Sequence, residues 1–172
     1  GPLKVSDHAW QPTLAKAMHD AAVEAGIPDN PDFNGANQEG VGYYQTTISR
    51  SRRWSSARAY LSGAKQRKNL TIATSAHATR LLIENGRCVG VEYRTPDGLV
   101  QARANREVIV SGGVYGSPQL LMLSGLGPAE HLKQHGIAVV RDMPGVGSHL
   151  HDHFNTYVAY KCAQPVTMND LV

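Results

Sequence analysis

The stretch at residues 111–128, SGGVYGSPQLLMLSGLGP, decides how the chain is read. It holds five glycines and two prolines, yet its centre, Leu120-Leu121-Met122-Leu123, is strongly apolar. Upstream lies REVIV at 106–110, whose Val108-Ile109-Val110 run is apolar without alternation. Such a run reads as a short strand buried on both faces, as in a parallel sheet. Ser111-Gly112-Gly113 then reads as a tight turn off the carboxyl end of that strand, the place where open α/β sheets receive ligands. The residue types predict Ser117 as a helix N-cap, Pro118 as the first helical residue and Leu120 to Leu123 as a buried segment. Gly125 ends this helix, Pro128 starts another, and Gly136 stops that one. The glycines therefore flank the helix and let the backbone turn, expose amides and re-enter the core.

Working outward, residues 70–110 differ in kind from what precedes them, and their first four runs carry the marks of an antiparallel meander. LTIAT, HATRLLI, CVGVEYR and VQARAN are short runs rich in apolar and β-branched residues. Asn85-Gly86 predicts a hairpin turn between the second and third, and Pro96-Asp97-Gly98 a turn between the third and fourth. Nearer the start, residues 12–25 predict a helix, with Leu14, Met18, Ala21, Ala22 and Ala25 on one face and Gly26 as its stop. Residues 28–40 read as a loop, VGYYQTTI as a strand, and Ala57 to Leu61 as a short helix capped by Ser55 or Ser56. Trp10 and Trp54 read as packing residues.

The 172 residues suffice for a real core, and 41% hydrophobic residues is a globular composition. No apolar run is long enough to span a membrane as a helix, and no segment resembles a signal peptide. The chain starts Gly-Pro-Leu without a Met, which fits a fragment or a processed chain. A net charge of +3 compels no nucleic-acid partner, although SRSRRWSSAR forms a basic patch with an aromatic residue. Cys88 and Cys162 form no C-x-x-C pair, and Cys88 reads as a packed small hydrophobe. His149, His151 and His153 would share one side of a strand and could hold a metal; a position-holding turn is the competing reading, and no metal ligand is assigned.

GGVYGSPQLLMLSGLGP resembles the second signature of the glucose–methanol–choline (GMC) oxidoreductases. DFNGANQEGVGYYQTT, RRWSSARAYL, NLTIATSAHATRLL, GVEY and PGVGSHLHDH resemble further segments of the family's choline-dehydrogenase and alcohol-dehydrogenase branch, in family order. The resemblance covers essentially the whole chain. It implies an α/β fold in which part of an FAD-binding domain (β-meander, last parallel strand and following helices) is interwoven with part of an antiparallel substrate domain. Residues 1–68 would belong to the substrate domain, 69–150 to the FAD domain, and 151–172 to the substrate domain again, with both domains incomplete.

The activity implied is oxidation of the CH–OH group of an alcohol such as choline, with hydride passing to FAD. The implied cofactor-binding residues are Ala78, through its backbone, Ser111, Gly112, Gly113 and Ser117. Read without the resemblance, the three turn residues could equally do no more than close a strand-to-helix turn. Tyr43 and Tyr44 could line a substrate pocket or pack. The family's G-x-G-x-x-G loop and catalytic histidine match no segment here, so no catalytic residue is assigned. The chain alone is expected to lack turnover and to hold FAD weakly or not at all. Unpaired strand edges would favour non-native self-association. The location implied is cytoplasmic, or peripheral at the inner face of a bacterial membrane. A non-catalytic domain of the same fold, or a nucleic-acid module built on the basic patch, stand as alternatives.

Overall fold

The computed structural model describes residues 1–167. They fall into two compact units: residues 1–71 with the segment from Tyr157 onward, and Ile72–Thr156. Among the described residues no helix is long and apolar enough to cross a membrane.

In the first unit α1 spans Thr13–Glu24, with Pro12 as its N-cap one position before the helix proper. Its end is closed by Gly26 N–H to Val23 O at 2.9 Å and Ile27 N–H to Ala22 O at 3.0 Å, the six-to-one closure a glycine stop permits. The helix half-buries Leu14, Ala15, His19 and Ala22, whereas Met18, expected on the covered face, is 67% exposed. Trp10 is likewise 55% exposed and does not pack as a core residue. The loop after α1 is ordered by one buried side chain. Asn30 Nδ2 donates to the carbonyls of Asn37 and Glu39 at 2.9 and 3.1 Å, and its Oδ1 accepts the Asp32 amide at 2.9 Å.

VGYYQTTI does not form the expected strand. Val41 bridges to Asp29, Thr46 bridges to Ser6, and only Ile48–Ser49 (β1) makes a ladder, with Arg52–Arg53 (β2). A single extended run cannot be a strand without a neighbour to take its amides and carbonyls. Ala57–Leu61 forms a π-helical turn, and Ser55 Oγ accepts the Arg58 amide at 3.3 Å, which selects Ser55 over Ser56 as the capping side chain.

The second unit holds the meander: β3 (His77–Glu84), β4 (Arg87–Thr95) and β5 (Gly98–Arg103), antiparallel in the order β3-β4-β5. Asn85 and Gly86 have φ of 50° and 76°, the two left-handed residues that a type I′ hairpin needs. LTIAT lies outside this sheet and is not a strand.

Val108-Ile109-Val110 corrects the expectation most sharply. No ladder forms there, and Ile109 is 78% exposed. An apolar run without alternation wants neighbours on both faces. The described residues supply none.

Helix α2 spans Gly113–Leu123, starting five residues earlier than Ser117 and Pro118 predict. Ser117 is not its N-cap. Its Oγ instead accepts the amide of Gly112 at 3.0 Å, so a turn forms ahead of Pro118 and the proline sits inside the helix. Leu120, Leu121 and Met122 are half-buried and Leu123 is 48% exposed, so the apolar centre is less covered than its composition suggests. Leu126–Gly127 (β6) pairs in parallel with Arg141–Asp142 (β7), and α3 (Ala129–Gln134) connects them. Pro128 is the α3 N-cap, and Asp142 Oδ1 accepts the Ala129 amide at 2.9 Å from outside the helix. The core of this unit is small: Leu81 at 6% and Leu132 at 0% exposure are its buried apolar side chains.

Candidate functional site

The candidate site lies in the second unit, on α2 and β3, which pack against each other. At the entry to α2, Gly112 has φ −79° and ψ 3°, and Gly113 has φ +80°. A right-handed residue followed by a left-handed one turns successive amides toward one side, a concavity suited to an anion. A Cβ on Gly112 would stand 3.0 Å from Gly116 C and Ser117 N, so a side chain there would have to push the backbone of the first helical turn by a few tenths of an ångström. A Cβ on Gly113 would meet nothing within 4 Å, which leaves its outer side open. Ser111, Gly112 and Gly113 are all exposed, and Ser117 is half-buried. Ser117 joins this group through the Gly112 bond.

Ala78 lies on β3, exposed and opposite Tyr93. The ladder shifts register between Ala78 and Arg80. Such a bulge bends a strand and re-aims its backbone, and bulges recur beside functional sites. Thr79 Oγ1 fills this one, 3.1 Å from both the carbonyl and Oε1 of Glu92. No hydrogen bond links Ala78 to residues 111–117 among the described residues. Two clefts of this unit, one of about 360 Å³ lined by Arg80 to Glu84, Leu123 to Gly125 and Val140, the other of about 390 Å³ around Met122 and Leu132, are lined by neither group.

Sequence reasoning missed Ser124. It is buried, 8% exposed, and its Oγ donates to Leu120 O at 2.6 Å while accepting the Leu81 amide at 2.7 Å. The signal was present as a lone hydroxyl between an apolar run and a glycine stop. It reads as a helix C-terminus, and nothing in it announces a partner 43 residues away.

Glu92 organises the sheet beside the bulge. Arg80 donates from Nε and Nη2 to Oε1 and Oε2 at 3.1 and 3.0 Å, and Gln101 Nε2 donates to Oε2 at 3.2 Å. Arg80 first, then Gln101, holds the Glu92 carboxyl below the ordinary glutamate value of 4.5. Because the folded value is depressed, the stability it contributes is complete above the unfolded value and is lost as pH falls through the folded one. The stability gap between the unsubstituted protein and its Glu92→Gln variant should therefore begin to narrow as the pH is lowered below about 4.5 and close only below the depressed folded value, as denaturant titrations at several pH values would read. A gap that stays constant from neutral to acid pH contradicts this.

Among the described residues no group of three or more His, Cys, Asp or Glu is placed to hold a metal. His149, His151 and His153 are exposed, outside any strand. In the first unit, Tyr43 stacks on His19 with ring centres 5.3 Å apart and lines a cleft of about 470 Å³ with Asp7, His8, His19 and Asp29. His19 Nε2 lies 3.0 Å from Asp29 Oδ1. Tyr44 is 78% exposed and leans on Phe33. Trp54 Nε1 donates to Pro2 O at 2.8 Å, and Arg58 lies over its ring at 5.7 Å. Both cysteines are free and half-buried.

Comparison with known proteins agrees with the motif reading. The sequence model of the family described as GMC oxidoreductase matches residues 1–155. The chain is 48% identical over 165 residues to an alcohol dehydrogenase [acceptor] of Pseudomonas putida, covering 95% of this chain and 30% of that one. It is 46% identical over 172 residues to an oxygen-dependent choline dehydrogenase of Pseudomonas savastanoi pv. phaseolicola, covering 98% and 30%. The chain thus spans about 30% of the length of these curated relatives.

Among solved structures, pyridoxine 4-oxidase from Mesorbium loti superposes with a TM-score of 0.78 at 33% identity, over 84% of this chain and 28% of that one. An FAD-dependent oxidoreductase from Chaetomium thermophilum also gives 0.78, at 27% identity over 84% and 26%. A signature centred on residues 112–128, a match running from residue 1 to 155 and a shared backbone all point one way: the chain belongs to the GMC oxidoreductase family.

Proposed function

We propose that the chain is part of a flavin-dependent dehydrogenase that oxidises the CH–OH group of an alcohol such as choline, and that Ser111, Gly112, Gly113, Ser117 and the backbone at Ala78 hold FAD. The observation that carries this reading is the Gly112–Gly113 turn. It combines a left-handed residue, an open outer side and a position where a Cβ would crowd the chain's own backbone at 3.0 Å. A nucleotide phosphate or ribose needs that close backbone approach, so the residues present fit the cofactor. The bulge beside Ala78 supports a backbone contact there, since it presents main-chain groups that a regular ladder would consume.

FAD, when bound, supplies the acceptor for the two electrons that leave the alcohol carbon. The chain's own part is to bind and orient. Gly113 offers its amide, while the Gly112 amide is taken by Ser117 Oγ, which holds the turn. Residues 69–150 would form the cofactor-binding portion, and 1–68 and 151–172 the substrate-side portions. Val108-Ile109-Val110 and LTIAT would find their strand partners in the remainder of the enzyme. The 172-residue chain alone would hold FAD weakly and turn nothing over.

The test compares the full-length enzyme with this chain. The purified full-length enzyme should carry flavin, and its visible absorbance should bleach under anaerobic addition of choline or a primary alcohol. The chain alone should remain colourless. A full-length enzyme without flavin, or one whose flavin no alcohol reduces, sinks the proposal.

A further inference from the structure

We infer that Ser124 is a positioning residue for the cofactor site: its buried hydroxyl locks the strand that carries Ala78 to the helix that the Ser111–Gly113 turn opens. The inference rests on the flavin reading above. A serine hydroxyl has one proton, so donating to Leu120 O while accepting from Leu81 N–H uses it in one orientation only. Leu120 belongs to α2, three positions after Ser117. Leu81 belongs to β3, three positions after Ala78 and just past the bulge.

The Leu81 amide points away from β4, because successive amides along an antiparallel strand alternate sides. On that side β3 is the outer strand of the β3-β4-β5 sheet. The hydroxyl therefore takes the place of a neighbouring strand's carbonyl, at a point 8% open to solvent. Packing alone does not require it, since alanine would fill the same space less one oxygen. What the oxygen adds is direction. Apolar contacts between α2 and β3 tolerate a slide of one against the other, whereas a two-sided hydrogen bond holds at one register. Holding that register holds the separation between the backbone at Ala78 and the Gly113 amide beside the Gly112–Ser117 bond, two places that would contact different parts of one nucleotide.

The test uses the full-length enzyme, stripped of flavin and titrated with FAD by flavin fluorescence. Ser124→Ala should weaken FAD binding about tenfold, the loss of one buried hydrogen bond, with the KM for alcohol changed less than about twofold. Ser124→Thr retains the hydroxyl and should stay within about threefold of the unsubstituted enzyme. Unchanged FAD affinity in Ser124→Ala, alongside a lowered melting temperature, overturns the inference and leaves Ser124 a structural residue only.

Should Ser124→Ala not fold, hydrogen exchange on the unsubstituted enzyme decides. Slowing of the Leu81 amide by FAD, in step with residues 112–114, supports the inference; indifference of Leu81 to FAD overturns it. A full-length enzyme that takes up no FAD at all sinks the functional reading itself, an outcome distinct from these.

Discussion

Replacing Gly125 with valine should destabilise the protein by roughly 4 kcal/mol or more, enough to abolish its accumulation in the folded state. Two effects add. Gly125 has φ +81°, a conformation that costs an L-residue roughly 1–2 kcal/mol and a β-branched one more. A Cβ there would also stand 2.5 Å from Ala138 O, 2.8 Å from Val140 Cγ2 and 3.1 Å from Val140 N. Two of these three are backbone atoms and cannot swing aside. Gly125 O moreover accepts the amides of Val140 and Arg141 at 2.8 and 3.1 Å, so any retreat breaks the approach of β7 to β6. Gly113 provides the control. Its φ of +80° is nearly the same, yet a Cβ on it meets nothing within 4 Å. Gly113→Ala should therefore cost only about 1 kcal/mol, the conformational part alone. Denaturant midpoints for the two variants would separate crowding from backbone strain. Equal costs would show that the contacts at Gly125 relax freely.

The second large effect is expected at Leu132. It is fully buried, and its methyl carbons lie 3.6 and 3.7 Å from where a Gly127 Cβ would be, beside Met122. Leu132→Ala removes the one fully buried large side chain among the described residues and leaves a cavity, for which about 2–5 kcal/mol is the ordinary cost. The midpoint of chemical denaturation should fall accordingly with the slope unchanged. A loss under about 1 kcal/mol would mean that Met122 and Ile137 close over the gap. Substitution of Met18, on the exposed face of α1, should by comparison stay within about 0.5 kcal/mol.

Much of this architecture was legible in the residues because the signals are local. Asn85-Gly86 fixes a hairpin through two left-handed residues, and Gly26, Gly125 and Gly136 stop helices by the same chemistry. Ser111, Gly112, Gly113 and Ser117 are singled out by the family resemblance, because the same glycines could equally do no more than close a strand-to-helix turn. What failed was non-local. Val108-Ile109-Val110 has the composition of an interior strand, but composition cannot provide neighbours, and the described residues leave Ile109 exposed. VGYYQTTI and LTIAT erred for the same reason. Ser117 and Pro118 misplaced the helix start because an N-cap serine and a serine that reaches back to an earlier amide have the same sequence appearance. Ser124 and Asn30 were missed because a buried polar side chain is recognised by what it touches, and both touch backbone that is distant along the chain or held in a loop.

The separation between Leu81 and Ser124 carries a consequence for the order of assembly. Bringing together residues 43 apart costs roughly 1 kcal/mol more chain entropy than closing the short span from Leu126 to Arg141. The β6-α3-β7 piece, with Leu132 at its centre, can therefore collapse as a local seed. The sheet would dock afterwards, with the serine hydroxyl as the last catch to close, the order that site-by-site folding kinetics would check.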